Sequence, residues 1–149
     1  MTSPEQNLPP EVAAALLEQA PDATIFAGSD GMIAFWNEAA ERVFGHTAAQ
    51  AMGQSLDVII PEEFRERHWT AYDKALEAGD TKYRGQALAT RATRADGTVI
   101  YVEMGFAIVH GADGAVIGAM AVARDITERF NRDRETRREL RELKEAAKA

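Results

Sequence analysis

The stretch TVIYVEMGFAIV, residues 98–109, decides the fold, because apolar and other side chains alternate along it. A period of two places successive side chains on opposite faces of a β-strand, so one face of this strand is wholly apolar. The residues on that face are Ile100, Val102, Met104, Phe106 and Ile108. We therefore expect a long strand that turns this face toward the core and leaves Tyr101 and Glu103 on the other side.

Turn signals on both sides of this strand predict antiparallel neighbours. Asp96-Gly97 precedes it and Asp113-Gly114 follows it, and Asp-Gly is a favoured hairpin dipeptide. The neighbouring strands are expected at 83–93 and 115–123. Two earlier strands, at 23–28 and 32–36, are expected on either side of the turn Ser29-Asp30-Gly31. Strands grouped at both ends of the chain with helices between them predict an α+β fold with an antiparallel sheet.

Capping residues mark the helices. Asn37 is a typical N-cap and Gly45 a typical helix end, while Thr47 with Gln50 three residues later fits a capping box. The helices are expected at 10–19, 38–44, 48–52, 61–78 and from residue 127 onward.

Composition and charge exclude several classes of function. Net charge is −7, which gives no electrostatic support for nucleic-acid binding. Cysteine is absent, which excludes disulfides, cysteine metal sites, thiol catalysis and flavin photochemistry that needs a cysteine. No apolar run approaches the roughly 20 residues that cross a bilayer, and the first residues do not read as a secretion signal. We expect a cytoplasmic protein without a membrane partner.

The segment from Arg124 onward differs from the rest, because it holds nine of the 17 basic residues. It is strongly helical in pattern, with opposite charges four residues apart, as in Glu128 and Arg132. Its apolar seam is broken between Phe130 and Leu140. Both a solvated helix and a helix for dimerisation or signal transmission remain open.

A single histidine on helix 61–78 is the main candidate for chemistry. On a helical wheel the apolar residues fall in an arc of roughly 140°. They are Phe64, His68, Ala71, Tyr72, Ala75 and Leu76. A buried His68 either hydrogen-bonds inside the core or binds a metal, and a haem iron accepts one imidazole readily. The small neighbours Ala71 and Ala75 leave room for a flat ring system, and no other acid or histidine shares the arc to complete a zinc site.

Met104 has two readings. Its thioether could be a sixth ligand to a haem iron, or it could fill the core as methionine commonly does. In either case Met104 and Phe106 contribute to an apolar wall.

Taken together, these motifs resemble a PAS domain over about residues 12–128. The matching segments are Asp30-Gly31, Asn37 to Gly45 (NEAAERVFG), Met52-Gly53, Ile60-Pro61-Glu62, Arg94 to Gly97 (RADG) and Arg124 to Thr127 (RDIT). The resemblance implies a five-stranded antiparallel sheet with helices packed on one face and a ligand pocket between them. It divides the chain into an N-terminal tail and flanking helix (1–20), a PAS sensor domain (21–126) and a C-terminal signalling helix (127–149).

Within that family, residues 61–97 are similar to the haem-binding domains of rhizobial oxygen-sensor kinases. The similarity implies haem b, with His68 at the position of the proximal iron ligand and with Met104 and Phe106 on the distal side. Leu88 stands where those kinases carry an arginine that hydrogen-bonds oxygen, a departure that Tyr83, Arg84 or Gln86 could offset. The residues predicted to line the cofactor are His68, Met104, Phe106, Leu88, Phe64, Tyr72, Ile60, Tyr83 and Phe44.

Three functions follow as hypotheses. The first is a haem sensor of a diatomic gas (O₂, CO or NO) or of redox state, which signals through the terminal helix to an unknown partner protein. The second is a haem-free interaction module that forms a homodimer through its two terminal helices. The third is a pocket for another small molecule, with Arg65 or Arg84 as the anion partner. No set of catalytic residues indicates an enzyme, and His46 and His110 are expected to be exposed.

Overall fold

Five strands form one antiparallel sheet in the computed structural model, in the order β2-β1-β5-β4-β3. The structure describes residues 6–148, so residues 1–5 of the predicted N-terminal tail and the last residue lie outside the described residues. The strands are β1 (Ala23–Gly28), β2 (Ile33–Trp36), β3 (Leu88–Thr93), β4 (Val99–His110) and β5 (Val116–Asp125). The predicted α+β class and the five-stranded antiparallel sheet are confirmed.

The helices lie between β2 and β3 and at the two ends of the described chain. They are α1 (Pro10–Glu18), α2 (Glu38–Phe44), α3 (Ala48–Ala51), α4 (Arg65–Ala78) and α5 (Thr127–Lys148), with 3₁₀ turns at Leu56–Ile59 and Glu62–Phe64. The capping box at Thr47 forms with both of its hydrogen bonds. The predicted helix 61–78 is a 3₁₀ turn followed by α4, because the chain bends at Phe64 before the regular helix begins. No helix within residues 6–148 combines the length and apolar character needed to cross a bilayer.

One predicted strand begins later than expected. The sequence predicts a strand over 83–93, but β3 starts at Leu88. Residues 82–85 form turns instead, with the Gln86 amide donating to the Tyr83 carbonyl at 2.9 Å. Gly85 takes the left-handed backbone at φ +74°, which interrupts an extended chain at that point.

The sheet divides its side chains as the alternation predicts. Ile100, Val102 and Met104 of β4 are buried, and Phe106 packs against the same core. In the register of the sheet, Met104 pairs with Leu88 of β3 and with Ala123 of β5. The apolar face of the sheet is therefore covered by the helical segment between β2 and β3.

Asn37 joins three elements at the edge of this core. Its side chain is fully buried and caps α2 by accepting from the Ala40 amide at 2.9 Å. The same oxygen accepts from the Thr24 amide of β1 at 2.9 Å. Its Nδ2 donates to the carbonyls of Leu17 and Asp22 at 2.9 and 3.1 Å. One side chain thus joins α1, β1 and α2, and it pairs the buried amides of Thr24 and Ala40, which would otherwise lack a partner.

Helix α4 is rotated slightly from its predicted orientation, because Trp69 turns inward and Ala71 outward. Trp69 is partly buried and packs against the core, whereas Ala71 is exposed. The outer edge of the indole abuts Gly31, in the turn between β1 and β2. Burial of a large aromatic ring stabilises the fold more than burial of an alanine methyl. Trp69 therefore faces the core, where the helical wheel had placed Ala71.

Helix α5 begins on the other face of the sheet. Phe130 stacks on Tyr101 of β4 with the ring centroids 3.9 Å apart, and Arg129 pairs with Glu103 at 2.8 Å. The Thr127 hydroxyl accepts from the Tyr101 amide at 3.0 Å and donates to Asp125 at 2.6 Å. The first turn of α5 is therefore attached to the strand that carries Met104 and Phe106 on its opposite face.

Gly31→Ala should destabilise the fold more than a matched glycine substitution does. Both Gly31 and Gly97 have a left-handed backbone, at φ +79° and +86°, which costs an alanine about 1–2 kcal/mol. A Cβ at Gly31 would also overlap the Trp69 ring, whereas one at Gly97 has no atom within 4 Å. We expect Gly31→Ala to lower the free energy of unfolding by about 1–3 kcal/mol more than Gly97→Ala, as measured by urea denaturation. Equal losses would show that the Trp69 contact contributes little.

Phe130→Ala should release the start of α5 from the sheet. Loss of the stacked pair removes about 0.5–1.5 kcal/mol beyond the area it buries. Amide hydrogen exchange in the first two turns of α5 should then become faster. Leu140→Ala is the control, because Leu140 is 53% exposed on the same helix. Unchanged exchange in Phe130→Ala would mean that the stack does not hold the helix.

Candidate functional site

His68 lies on the inward side of α4 and is half-buried. Its Nδ1 is buried and has no hydrogen-bond partner. Burial lowers the pKa of the imidazole, while the Asp57 carboxylate acts in the opposite direction with a smaller effect. At neutral pH the ring is therefore neutral, which is the form that binds a metal.

Two aromatic side chains pack beside the His68 ring. Trp69 meets it edge-on with centroids 4.7 Å apart, and Tyr72, one turn later on α4, lies 5.7 Å away. The Tyr72 hydroxyl donates to the Gly28 carbonyl of β1 at 2.7 Å. Burial, with the nearby carboxylates of Asp30 and Asp73, raises the pKa of Tyr72 to about 12. Tyr72 is therefore a neutral hydrogen-bond donor that ties α4 to the sheet.

The sheet supplies an apolar wall from β3 and β4. Met104 is 7% exposed, and Leu88 and Phe106 are half-buried. Leu88 faces Met104 across the β3–β4 ladder. A wall of this composition offers no hydrogen bond to a bound ligand from its side chains, apart from the weak thioether acceptor of Met104.

The other predicted lining residues have different surroundings. Ile60 packs against the core, and Phe44 is fully buried with its ring 5.6 Å from that of Trp36. Phe64 is half-buried, with the guanidinium groups of Arg67 and Arg91 over its ring. Tyr83 lies in the turn before β3 rather than on the strand, with Lys82 over its ring at 5.0 Å.

A shallow apolar groove of about 330 Å³ opens beside β4 and β5. Its lining residues are Gly85, Gln86, Ala87, Gly105, Phe106, Ala107, Met120 and Val122. His68 is not among them, so this groove and the His68 surroundings are separate features.

The two arginines considered as anion partners are placed differently. Arg65 donates to the carbonyls of Ile60 and Asp57 at 3.0 and 3.3 Å, which occupies its guanidinium in holding the start of α4. Arg84 is 82% exposed and lies 3.8 Å from Asp80. The structure does not bring Arg65 and Arg84 to one site.

The remaining histidines differ from each other. His110 is exposed, as predicted. The prediction for His46 is wrong, because its ring is half-buried beside Trp36, whose Nε1 donates to the His46 carbonyl at 3.0 Å. The Nε2 of His46 is buried and has no hydrogen-bond partner, as is also the case for Nδ1 of His68.

The donor set around His68 fits a haem better than a bare metal ion. Among residues 6–148 no group of three or more acids and histidines could hold an ion by itself. One neutral imidazole with an unused buried nitrogen suits a cofactor that carries four nitrogens of its own. The apolar wall of Leu88, Met104 and Phe106 on the sheet has a composition that suits the faces of a macrocycle.

Sequence reasoning missed Trp69 and Asp57. Trp69 lies at the margin of the predicted apolar arc, so a slightly wider arc would have included it. Asp57 gave no signal, because its contact with Trp69 joins residues twelve apart through a 3₁₀ turn that the sequence did not predict.

Comparison with known proteins agrees with this fold. The FixL sensor protein of Bradyrhizobium diazoefficiens is 32% identical over 83 residues, which cover 56% of this chain and 16% of that protein. The oxygen sensor protein DosP of Escherichia coli is 25% identical over 121 residues, 81% of this chain and 15% of that protein. The chain thus spans about one sixth of the length of the curated relatives it matches.

Solved structures and a family model give the same result. An RNA-binding light-oxygen-voltage receptor superposes with a TM-score of 0.71 at 23% identity, over 93% of this chain and 40% of that chain. A PAS domain from Colwellia psychrerythraea gives 0.68 at 24% identity, over 79% of this chain and 97% of that chain. The family model described as the PAS fold matches residues 17–131. This chain therefore belongs to the PAS family.

Proposed function

We propose that this PAS domain is a sensor that binds haem b, with His68 as an axial ligand to the iron. The observation that carries the proposal is the neutral imidazole on α4 whose buried Nδ1 makes no hydrogen bond. A core histidine normally pairs its buried nitrogen, so His68 is not a fully hydrogen-bonded core residue, and a neutral ring of this kind can bind an iron through its other nitrogen. An oxygen sensor protein among the relatives supports the same class of function.

Entry of a haem requires α4 to move away from the sheet. None of the residues of α4 is fully buried, and a few side-chain contacts hold the helix in place. These contacts include Tyr72 to Gly28 and Trp69 to Asp57, and an outer ion pair joins Glu63 to Arg91 at 3.9 Å. A helix fastened in this way separates at lower cost than one with a buried apolar face.

The apolar wall, which would face a gas bound to the haem, should favour CO or NO over O₂. Bound haem supplies the iron coordination site, and the chain supplies the surroundings of the gas. Leu88 and Phe106 offer no hydrogen bond that would stabilise polar bound oxygen. Two of the residues that could replace the missing arginine lie elsewhere. Arg84 is exposed, and Gln86 lines the shallow groove beside β4 and β5.

The signal would leave through β4 and α5. Met104 and Phe106 lie on one face of β4, while Tyr101 and Glu103 on the other face hold Phe130 and Arg129 of α5. A ligand-dependent shift of β4 would change these contacts and bias the helix toward a partner protein. In this proposal residues 21–126 are the sensor, 127–149 are the output segment, and the domain has no catalytic role.

His68→Ala should abolish specific haem binding. The chain has three histidines and no cysteine, so removal of the axial imidazole leaves no equivalent ligand on α4. Titration with hemin, followed by absorption and by haem retained after gel filtration, measures the effect. His110→Ala is the matched control, because His110 is exposed, and it should retain haem at the wild-type ratio. Equal haem retention by the His68→Ala and wild-type proteins would refute the proposal.

Met104→Leu distinguishes ligation from packing. Met104 is nearly buried between Leu88 and Ala123, which supports packing. A Leu↔Met change in a core costs less than about 1.5 kcal/mol, so the variant should fold and its reduced absorption spectrum should match that of wild type. A change of the reduced protein from six-coordinate to five-coordinate in this variant would instead assign Met104 as the sixth ligand.

A haem-free interaction module is the second candidate, and one observation favours it. Leu16 and Leu17 of α1 are 60% and 43% exposed, and Leu140 and Leu143 of α5 are 53% and 67% exposed. Apolar side chains on two terminal helices are suited to a homodimer contact. A colourless protein that self-associates after hemin treatment would support this candidate over the first.

A further inference from the structure

The His68 ring lacks the hydrogen bond that usually orients a metal-binding histidine. Such a histidine commonly donates its second ring nitrogen to a carboxylate, carbonyl or water, which sets the orientation of the ring. Here the Nδ1 of His68 is buried and has no such partner. Its ring orientation must therefore be set by packing.

Helical geometry leaves this choice open. A residue inside an α-helix takes χ1 near 180° or −60°, and either well is accessible to histidine. Because these two rotamers point the ring in different directions, the neighbours of His68 decide where its nitrogens lie.

Trp69 is the closer of the two aromatic neighbours and is itself held on two sides. Its ring meets the His68 ring edge-on at 4.7 Å. Its Nε1 donates to Asp57 Oδ1 at 2.8 Å, from the 3₁₀ turn ahead of α4. The outer edge of its six-membered ring abuts Gly31, where a Cβ would overlap the ring. The indole is therefore fixed by a charge-assisted hydrogen bond and by a backbone surface.

We infer that Trp69, anchored by Asp57 and Gly31, is the positioning residue that selects one rotamer of His68. The inference rests on the proposed role of His68 as an axial ligand, and it replaces the missing hydrogen bond with an aromatic contact. Tyr72 completes a triangle of rings, with its centroid 5.7 Å from His68 and 5.3 Å from Trp69, and its bond to the Gly28 carbonyl holds it beside Trp69.

The consequence for haem binding is preorganisation. A ring held in one orientation before the cofactor arrives loses less conformational freedom on ligation than a ring that samples two rotamers. Release of Trp69 should leave His68 able to bind iron, but in more than one orientation.

The test uses the haem-free protein and the rotamer of His68. Three-bond couplings between the Hα and Hβ protons of His68 report χ1 and do not depend on aromatic ring currents. They are recorded well above the ordinary histidine pKa of about 6.5, so that protonation does not contribute. Wild type should show one large and one small coupling, as a single rotamer requires.

Two matched pairs of variants separate the possible causes. Trp69→Phe removes the indole donor, and Trp36→Phe removes the other tryptophan of the chain, whose Nε1 donates to the His46 carbonyl. Asp57→Ala removes the acceptor, and Asp57→Asn keeps an acceptor oxygen without the charge. We expect averaged couplings in Trp69→Phe and Asp57→Ala, and single-rotamer couplings in Trp36→Phe and Asp57→Asn.

Either of the two perturbing variants, Trp69→Phe or Asp57→Ala, decides the inference if the other fails to fold. Single-rotamer couplings in Trp69→Phe or in Asp57→Ala would overturn it, as would averaged couplings in wild type. In hemin-loaded Trp69→Phe, electron paramagnetic resonance should show more than one axial-ligand orientation where wild type shows one. The coupling measurement needs no haem. A protein that never binds haem would therefore refute the proposed function, while the couplings would still test whether Trp69 selects the His68 rotamer.

Discussion

The fold depends on one amide side chain that is completely removed from water. Asn37 pairs its oxygen and its nitrogen with four backbone groups from α1, β1, α2 and the segment that joins α1 to β1. Without it, the buried amides of Thr24 and Ala40 would lack partners, at a cost of about 1–3 kcal/mol for each group. The junction fixes where the chain leaves the sheet, and the helical segment that covers the apolar face of the sheet starts there.

The covering segment is not held uniformly. Near Asn37, α2 places Ala40 and Phe44 in the core with no exposed surface. Farther along, α4 has no fully buried residue and relies on the hydrogen bonds of Tyr72 and Trp69. The candidate site therefore lies under a helix that is less firmly packed than α2, where local opening costs less free energy. In the proposed haem sensor, this difference between α2 and α4 would let α4 open while the sheet stays in place.

Local chemistry made much of the fold predictable. Asn37, Gly45 and the capping box at Thr47 act through neighbours a few residues away, so their helix ends followed from the sequence. The alternation in β4 also predicted its buried face, because a strand has only two faces. The predicted start of β3 was wrong because the chain turns at Gly85. That turn uses a left-handed backbone, which glycine permits but does not require.

The site was less predictable than the fold. Its principal residue, His68, was identified from the apolar side of α4, yet Trp69 was left off that side by a small error in the helix rotation. The contacts of Trp69 with Asp57 and Gly31 connect segments that are distant in the chain, so no local sequence pattern predicts them. The absence of a partner for His68 Nδ1 is likewise a property of the packed structure and not of the sequence.

The central claim is that His68 binds the iron of a haem, and absorption spectroscopy of the hemin-treated wild-type protein tests it most directly. Spectra would be recorded for the ferric protein, after dithionite and then under CO. The account predicts a sharp Soret band that shifts at both steps. A protein with no specific Soret band after this treatment would contradict the claim and leave His68 as a packed histidine of α4.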